Sequence, residues 1–241
     1  MHSIVYDPIH DEFTVPQQFG QAIMTFRGAA DGQEGPIRVI QGPKTLLTAP
    51  DRLDVDSVHN EIFVPMGDVI LVYKRDAQGD VAPIRTIKGP DAMLDGAGAI
   101  AVDPIHNVLV VDGDGGRGKT LLLIFNRTDQ GNVKPKATIG GPKSMLGSLG
   151  GPFAIYAPKG EILVSIRGAG VQIGQLASDQ SFVGVWSIND NGDVPPKWTI
   201  GGPNGVLMMP RGVTIDPKHK TLMVSDKRLN AVLTFSFPEI F

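Results

Sequence analysis

The sequence predicts an all-β fold: a β-propeller of about five four-stranded antiparallel blades, the last without its outer strand. Three observations carry this. A strand-rich unit recurs about every fifty residues, its apolar runs are short and bounded by turn residues, and no segment keeps a helical period.

The first recurring element is Pro36-Ile-Arg-Val-Ile-Gln-Gly-Pro43, followed by Pro83-Ile-Arg-Thr-Ile-Lys-Gly-Pro90, Pro135-Lys-Ala-Thr-Ile-Gly-Gly-Pro142 and Pro196-Lys-Trp-Thr-Ile-Gly-Gly-Pro203. A second element appears as Val5-Tyr-Asp-Pro-Ile-His10, Val55-Asp-Ser-Val-His59, Val102-Asp-Pro-Ile-His106, Ile155-Tyr-Ala-Pro-Lys159 and Ile215-Asp-Pro-Lys-His219. Together they divide one domain, 1–241, into blades of roughly 1–43, 44–90, 91–142, 143–203 and 204–241. In the second copy the strands are read as Arg52 to Asp56, Glu61 to Val64, Val69 to Tyr73 and Ile84 to Ile87. The unbroken run Leu121 to Phe125 suits a strand covered on both faces, as radial packing of blades requires.

The fifth unit ends after a third strand pattern. Three readings follow: a ring with one three-stranded blade, a larger propeller cut at its ends, or an arc completed by another chain. An exposed outer edge invites pairing, so self-association through it is an expectation.

Composition narrows the function classes. With 22 Lys and Arg against 25 Asp and Glu, scattered rather than clustered, nucleic acid is excluded as an expected partner. No apolar run is long enough to span a membrane, and the first residues, with Asp7, His10, Asp11 and Glu12, do not resemble a signal peptide. The compartment stays open; a signal peptide removed upstream would place the chain outside the cytoplasm. The absence of cysteine excludes disulfides and thiolate chemistry.

The segments Pro210-Arg-Gly-Val-Thr-Ile-Asp216, Leu222-Met-Val-Ser-Asp226 with Asn230, and Val232-Leu-Thr-Phe235 resemble the NHL-repeat and YVTN-type β-propellers. The resemblance covers essentially the whole chain and implies the fold, not an activity. The Asp closing the second strand survives as Asp112 and Asp226, while Pro16, Pro65 and Ile166 stand at the corresponding places, and Ala157 replaces the turn Asp of the fourth unit.

His10, His59, His106 and His219 share one position of an Asp-x-x-His turn, so they are read as turn formers with Asp7, Asp56, Asp103 and Asp216. The loop Asp112-Gly-Asp-Gly-Gly-Arg-Gly118 lacks the features of a phosphate loop. A calcium ion on Asp112 and Asp114 is the lesser reading of that loop, a flexible hairpin the greater, and no cofactor is otherwise expected.

The unusual connections are Gly113 to Thr120 and Arg167 to Ser181, in adjacent blades. A rim bearing Arg117, Lys119, Arg167, Gln172 and Gln175 is therefore the expected contact for a protein or carbohydrate partner. The functional expectation is a non-catalytic binding or assembly module. The alternatives are a gluconolactonase-like metal-dependent hydrolase, with Asp51, Arg52 and Asp54 as channel-facing candidates, and a subunit completing a larger ring. Val5, Ala101, Ile155 and Thr214 at the places matching Asp54 speak against the hydrolase.

Overall fold

The Asp-x-x-His turns set the frame, because each fixes the hairpin between the first two strands of a blade. Asp7, Asp56 and Asp103 each accept two backbone N–H groups on Oδ1, from Ile9 and His10, Val58 and His59, and Ile105 and His106. The other oxygen meets Nδ1 of the turn histidine at 2.7 to 2.8 Å. The turn then closes through a left-handed residue, Asp11, Asn60 or Asn107, at φ of 51 to 58°, which short polar side chains tolerate.

The structure, a computed structural model, describes residues 3–114, 120–147, 149, 151–167 and 181–241. Its strands form five antiparallel sheets, the blades of a β-propeller. By contacts the chain divides into two compact units, Met1–Asp114 with Phe125–Lys136, and Gly115–Ile124 with Ala137–Phe241.

The first unit holds the sheet of β1 (Val5–Asp7), β2 (Glu12–Gln17), β3 (Ala22–Arg27) and β4 (Arg38–Gln41), and that of β5 (Asp54–Asp56), β6 (Glu61–Pro65), β7 (Val69–Lys74) and β8 (Arg85–Lys88). It also holds β9 (Ile100–Asp103) and β10 (Val108–Asp114). The third sheet continues with β11 (Thr120–Asn126) and β12 (Ala137–Ile139). The second unit adds β13 (Ala154–Tyr156), β14 (Glu161–Ile166), β15 (Phe182–Ser187) and β16 (Trp198–Gly201), then the three-stranded sheet of β17 (Pro210–Asp216), β18 (Thr221–Asp226) and β19 (Ala231–Ser236).

Between the first two blades of the first unit lies a core of Ile23, Ile40, Leu47, Leu53, Val55, Ile62, Val64, Leu71 and Tyr73. In the second unit, Leu163, Val183, Val185, Leu207, Val213, Leu222, Val224 and Ile240 do the same between the last two sheets. Leu122 to Phe125 are fully buried, as their unbroken apolar run predicts.

Beside these apolar cores run charged seams. Glu12, at the start of β2, pairs with Arg38 of its own blade and, at 2.5 Å, with Arg75 of the next. Glu61 repeats this with Arg85 at 2.6 Å and Arg127 at 2.5 Å. Burial raises the Glu61 carboxyl, but the bonds and charges of Arg85 and Arg127 outweigh it and hold the group below its ordinary value. The matching positions are Val108 and Ala137 in the third blade and Ile188 in the fourth, so all three members change character together. In the fourth, Glu161 takes Lys197 at 2.6 Å, while Trp198 meets Phe237 edge-on.

Blades are also clasped through their outer hairpins. Gly79 docks beside Ile40 of β4, Gly131 beside Ile87 of β8 and Gly192 beside Ile139 of β12, each as a parallel bridge. The residue after each glycine caps the 3-10 turn that follows the clasped strand. Asp80 accepts Lys44 N–H at 2.7 Å, Asn132 accepts Asp91 N–H at 2.9 Å, and Asp193 accepts Lys143 N–H at 2.7 Å.

Two details depart from the sequence reading. The first strand of the second blade begins at Asp54 rather than Arg52, because the backbone N–H of Leu53 is spent on Ser3 Oγ and the Arg52 guanidinium reaches Gly98 O. In the fourth blade Tyr156 opposes Glu161, as Asp56 opposes Glu61, so the register places Tyr156 at the turn-Asp position and Ala154 at that of Asp54. The turn keeps the same four residues between its paired ends, 157–160, but winds as a 3-10 segment over Ala157–Lys159.

Candidate functional site

The candidate rim is built where second strands turn into third strands. That connection is short in the second blade, residues 66–68, and in the fifth, residues 227–230, but spans 115–119 in the third and 167–181 in the fourth. Arg117, Lys119, Gln172 and Gln175 lie outside the described residues, and Asp114 is the last residue of β10. Of the rim residues read from sequence, Arg167 is described, and it is half-buried.

The root of the long connection is well defined. Ser181 is fully buried, and its hydroxyl donates in the alternatives available to it to Arg167 O at 3.1 Å or Met208 O at 3.0 Å. These contacts draw the two ends of 167–181 together and tie them to the segment leading into β17. Directly beside that segment, Asp226 Oδ2 accepts the N–H groups of Met208 and Met209 at 2.7 and 2.9 Å. Its Oδ1 accepts those of Arg228 and Leu229. Four backbone donors thus converge on one buried carboxylate.

Asp112 performs the matching task in the third blade. Its Oδ1 accepts the N–H groups of Gly98 and Ala99, both at 2.6 Å. Burial raises its carboxyl above the ordinary range against the opposing pull of those bonds and of the Arg52 charge. The second-strand Asp of the repeat is therefore a clamp on the entry to its own blade. The repeat pattern marks both residues in the sequence, but not this longer reach.

The residues proposed for a hydrolase centre have local employment. Asp54 Oδ1 accepts Val55 N–H and Oδ2 accepts Val102 N–H, both at 2.8 Å, which joins β5 to β9. Burial pushes its carboxyl up to about 6. Arg52 donates to Gly98 O at 2.9 Å. Among the described residues no three His, Asp or Glu side chains gather in a metal-holding group. None of their helices is long and apolar enough to cross a membrane. The histidines are brought to aspartates rather than to one another; His219 meets Asp216 at 2.6 Å, as the other three meet theirs.

No protein-family model matches the chain, and no curated protein matches it in sequence. Solved structures do. A chain of a nidogen/laminin complex superposes with a TM-score of 0.65 at 15% identity, over 98% of this chain and 75% of that one. A chain of Kuenenia stuttgartiensis hydrazine synthase gives 0.67 at 13%, over 98% and 64%. One from a mitotic checkpoint complex gives 0.60 at 12%, over 94% and 58%, so this chain spans less than two thirds of the latter two. At such identities the likeness is one of fold, and the fold is a β-propeller.

Proposed function

We propose that the chain is a non-catalytic binding and assembly module of NHL or YVTN repeat type, which holds a protein partner on the rim formed by 115–119 and 167–181. The observation that carries this reading is the rooting of the long connection. A fifteen-residue excursion between two buried strands is anchored by Ser181, so the scaffold is hydrogen-bonded where the long segment leaves it.

Two further observations support it. The carboxylates of Asp54, Asp112 and Asp226 are taken up by backbone N–H groups, which leaves them poorly placed for acid-base work. Two of the similar structures come from protein complexes, nidogen with laminin and the mitotic checkpoint complex.

The test removes residues 168–180 and bridges the gap with a short glycine-asparagine turn. The variant is expected to keep its β spectrum and melting temperature while losing the partner that the intact chain captures and that photo-crosslinkers at positions 172 and 175 label. Undiminished capture overturns the rim assignment. Metal-dependent lactone hydrolysis by the purified protein would instead establish the hydrolase.

A further inference from the structure

Four blades repeat one pair between the third and fourth strands: Ile23 faces Ile40, Ile70 faces Ile87, Leu122 faces Ile139 and Val183 faces Ile200. The third-strand members are at most 1% exposed. In the last blade Thr221 opposes Ser236 as Glu61 opposes Lys74, so Val232 occupies that same position. It is 69% exposed, and among the described residues no strand pairs with the outer side of β19.

The clasp is missing at the same place. Glycines dock on β4, β8 and β12, and among the described residues none docks on β16. Ile200 is accordingly half-buried, where Ile40, Ile87 and Ile139 are at most 2% exposed. A Cβ on Gly42, Gly89 or Gly141 would strike Asp80, Asn132 or Asp193 at 2.5 to 2.6 Å, whereas one on Gly202 meets nothing within 4 Å.

Elsewhere one contiguous segment fills both vacancies. It reads Gly79-Asp-Val-Ala-Pro83-Ile-Arg-Thr-Ile87, Gly131-Asn-Val-Lys-Pro135-Lys-Ala-Thr-Ile139 and Gly192-Asp-Val-Pro-Pro196-Lys-Trp-Thr-Ile200. The glycine clasps the preceding blade, and the isoleucine eight residues on pairs within its own. Among the described residues every copy is already paired inside its own sheet, so none of the three is left to fill the last blade.

We infer that the outer edge of β19, together with the uncovered side of β16, is a docking site for an extended segment of a partner protein with the pattern Gly-Asp/Asn-Val-x-Pro-x-x-Thr-Ile. The backbone ladder to β19 supplies affinity and the pattern supplies choice. Its isoleucine covers Val232, its glycine lies along Ile200, and its Asp or Asn fills the space beside Gly202 and accepts the N–H of Asn204. From Ala231 to Ser236 the edge carries no charge and no proline to repel such a strand. This site goes beyond the rim: it uses none of 115–119 or 167–181.

A labelled peptide of residues 78–90, which carries the second copy of the pattern, is titrated into the full chain and followed by fluorescence polarisation. Saturable one-to-one binding is expected, weakened about tenfold or more by Ile87→Asp in the peptide or by Val232→Lys in a protein whose β spectrum is unchanged. Removal of 168–180 leaves that binding intact, so this site and the rim can fail separately. Absence of saturable binding to the folded chain overturns the proposal. So does a dimer that light scattering detects, Val232→Lys dissolves and the peptide does not compete with, because the edge then pairs with a second copy.

Discussion

Asp80 Oδ1 accepts the backbone N–H of Lys44 at 2.7 Å across 36 residues of sequence. A cap that a helix ordinarily draws from its own first residue comes here from the neighbouring blade, because that first residue is Gly42 and has no side chain to offer. The bare backbone is required: Gly42 sits at φ 131°, and a Cβ there would lie 2.5 Å from the Asp80 carboxyl group.

Asp80→Ala is therefore expected to cost about 1 kcal/mol, the value of a lost cap. Gly42→Ala should cost roughly 2 kcal/mol or more, since it adds backbone strain to the collision. Urea unfolding of the two variants measures both, and equal, negligible losses would refute the interlocking of blades.

The charged seam predicts a pattern across variants. Glu61→Val alone strands Arg85 and Arg127 in a half-buried or buried place and is expected to cost about 3–5 kcal/mol. Adding Arg85→Ala and Arg127→Ile, which reproduces the set Val108, Ala137 and Ile188, should restore most of that loss. Thermal melts of the single and triple variants decide it; a triple variant weaker than the single one contradicts the reading.

Asp54 makes stability depend on pH in an unusual direction. Its folded value of about 6 lies above the ordinary 3.8, so the folded state holds the proton more tightly than the unfolded one. The resulting stabilisation is full below 3.8 and lost as pH rises through about 6. Asp54→Asn should remove this term, on the order of 2–3 kcal/mol, and flatten that part of the wild-type curve. Glu61, held below its ordinary 4.5, acts in the opposite sense at lower pH, so the difference between wild type and variant isolates Asp54.

Asp226→Ala leaves the N–H groups of Met208, Met209, Arg228 and Leu229 without their acceptor. A loss of roughly 2–4 kcal/mol is expected, with faster amide exchange at Met208 and Met209. Asp226→Asn, which keeps one acceptor oxygen, should fall between the two. Unaltered exchange at these amides would show that the carboxylate does not hold the entry to the blade.

Much of the fold is legible in the sequence because its determinants are local and repeated. The Asp-x-x-His turn closes within four residues, and strand runs such as Leu122 to Phe125 advertise burial by composition alone. The clasp is harder to read, since Asp80, Asn132 and Asp193 follow a glycine in what looks like an ordinary turn, and their partners lie 36 to 50 residues away. A signal existed in the constant eight-residue step from that glycine to the strand isoleucine. The seam pairs Glu12 with Arg75 and Glu61 with Arg127 are equally remote in sequence, and only knowledge of which blades adjoin exposes them. The candidate rim was legible as length, which marks a connection as unusual without stating how its ends are held.

The seams also restrict how such a chain can be rearranged. Repeats this alike invite shuffling or duplication of gene segments, yet the carboxylate of Glu12 or Glu61 demands an incoming arginine, while Val108 stands at the carboxylate's place in the third blade and Ile188 at the arginine's place in the fourth. A transposed blade would set a bare carboxylate against a hydrocarbon. Its neighbours are thus written into each repeat, and the order of the blades is inherited as a unit rather than assembled freely.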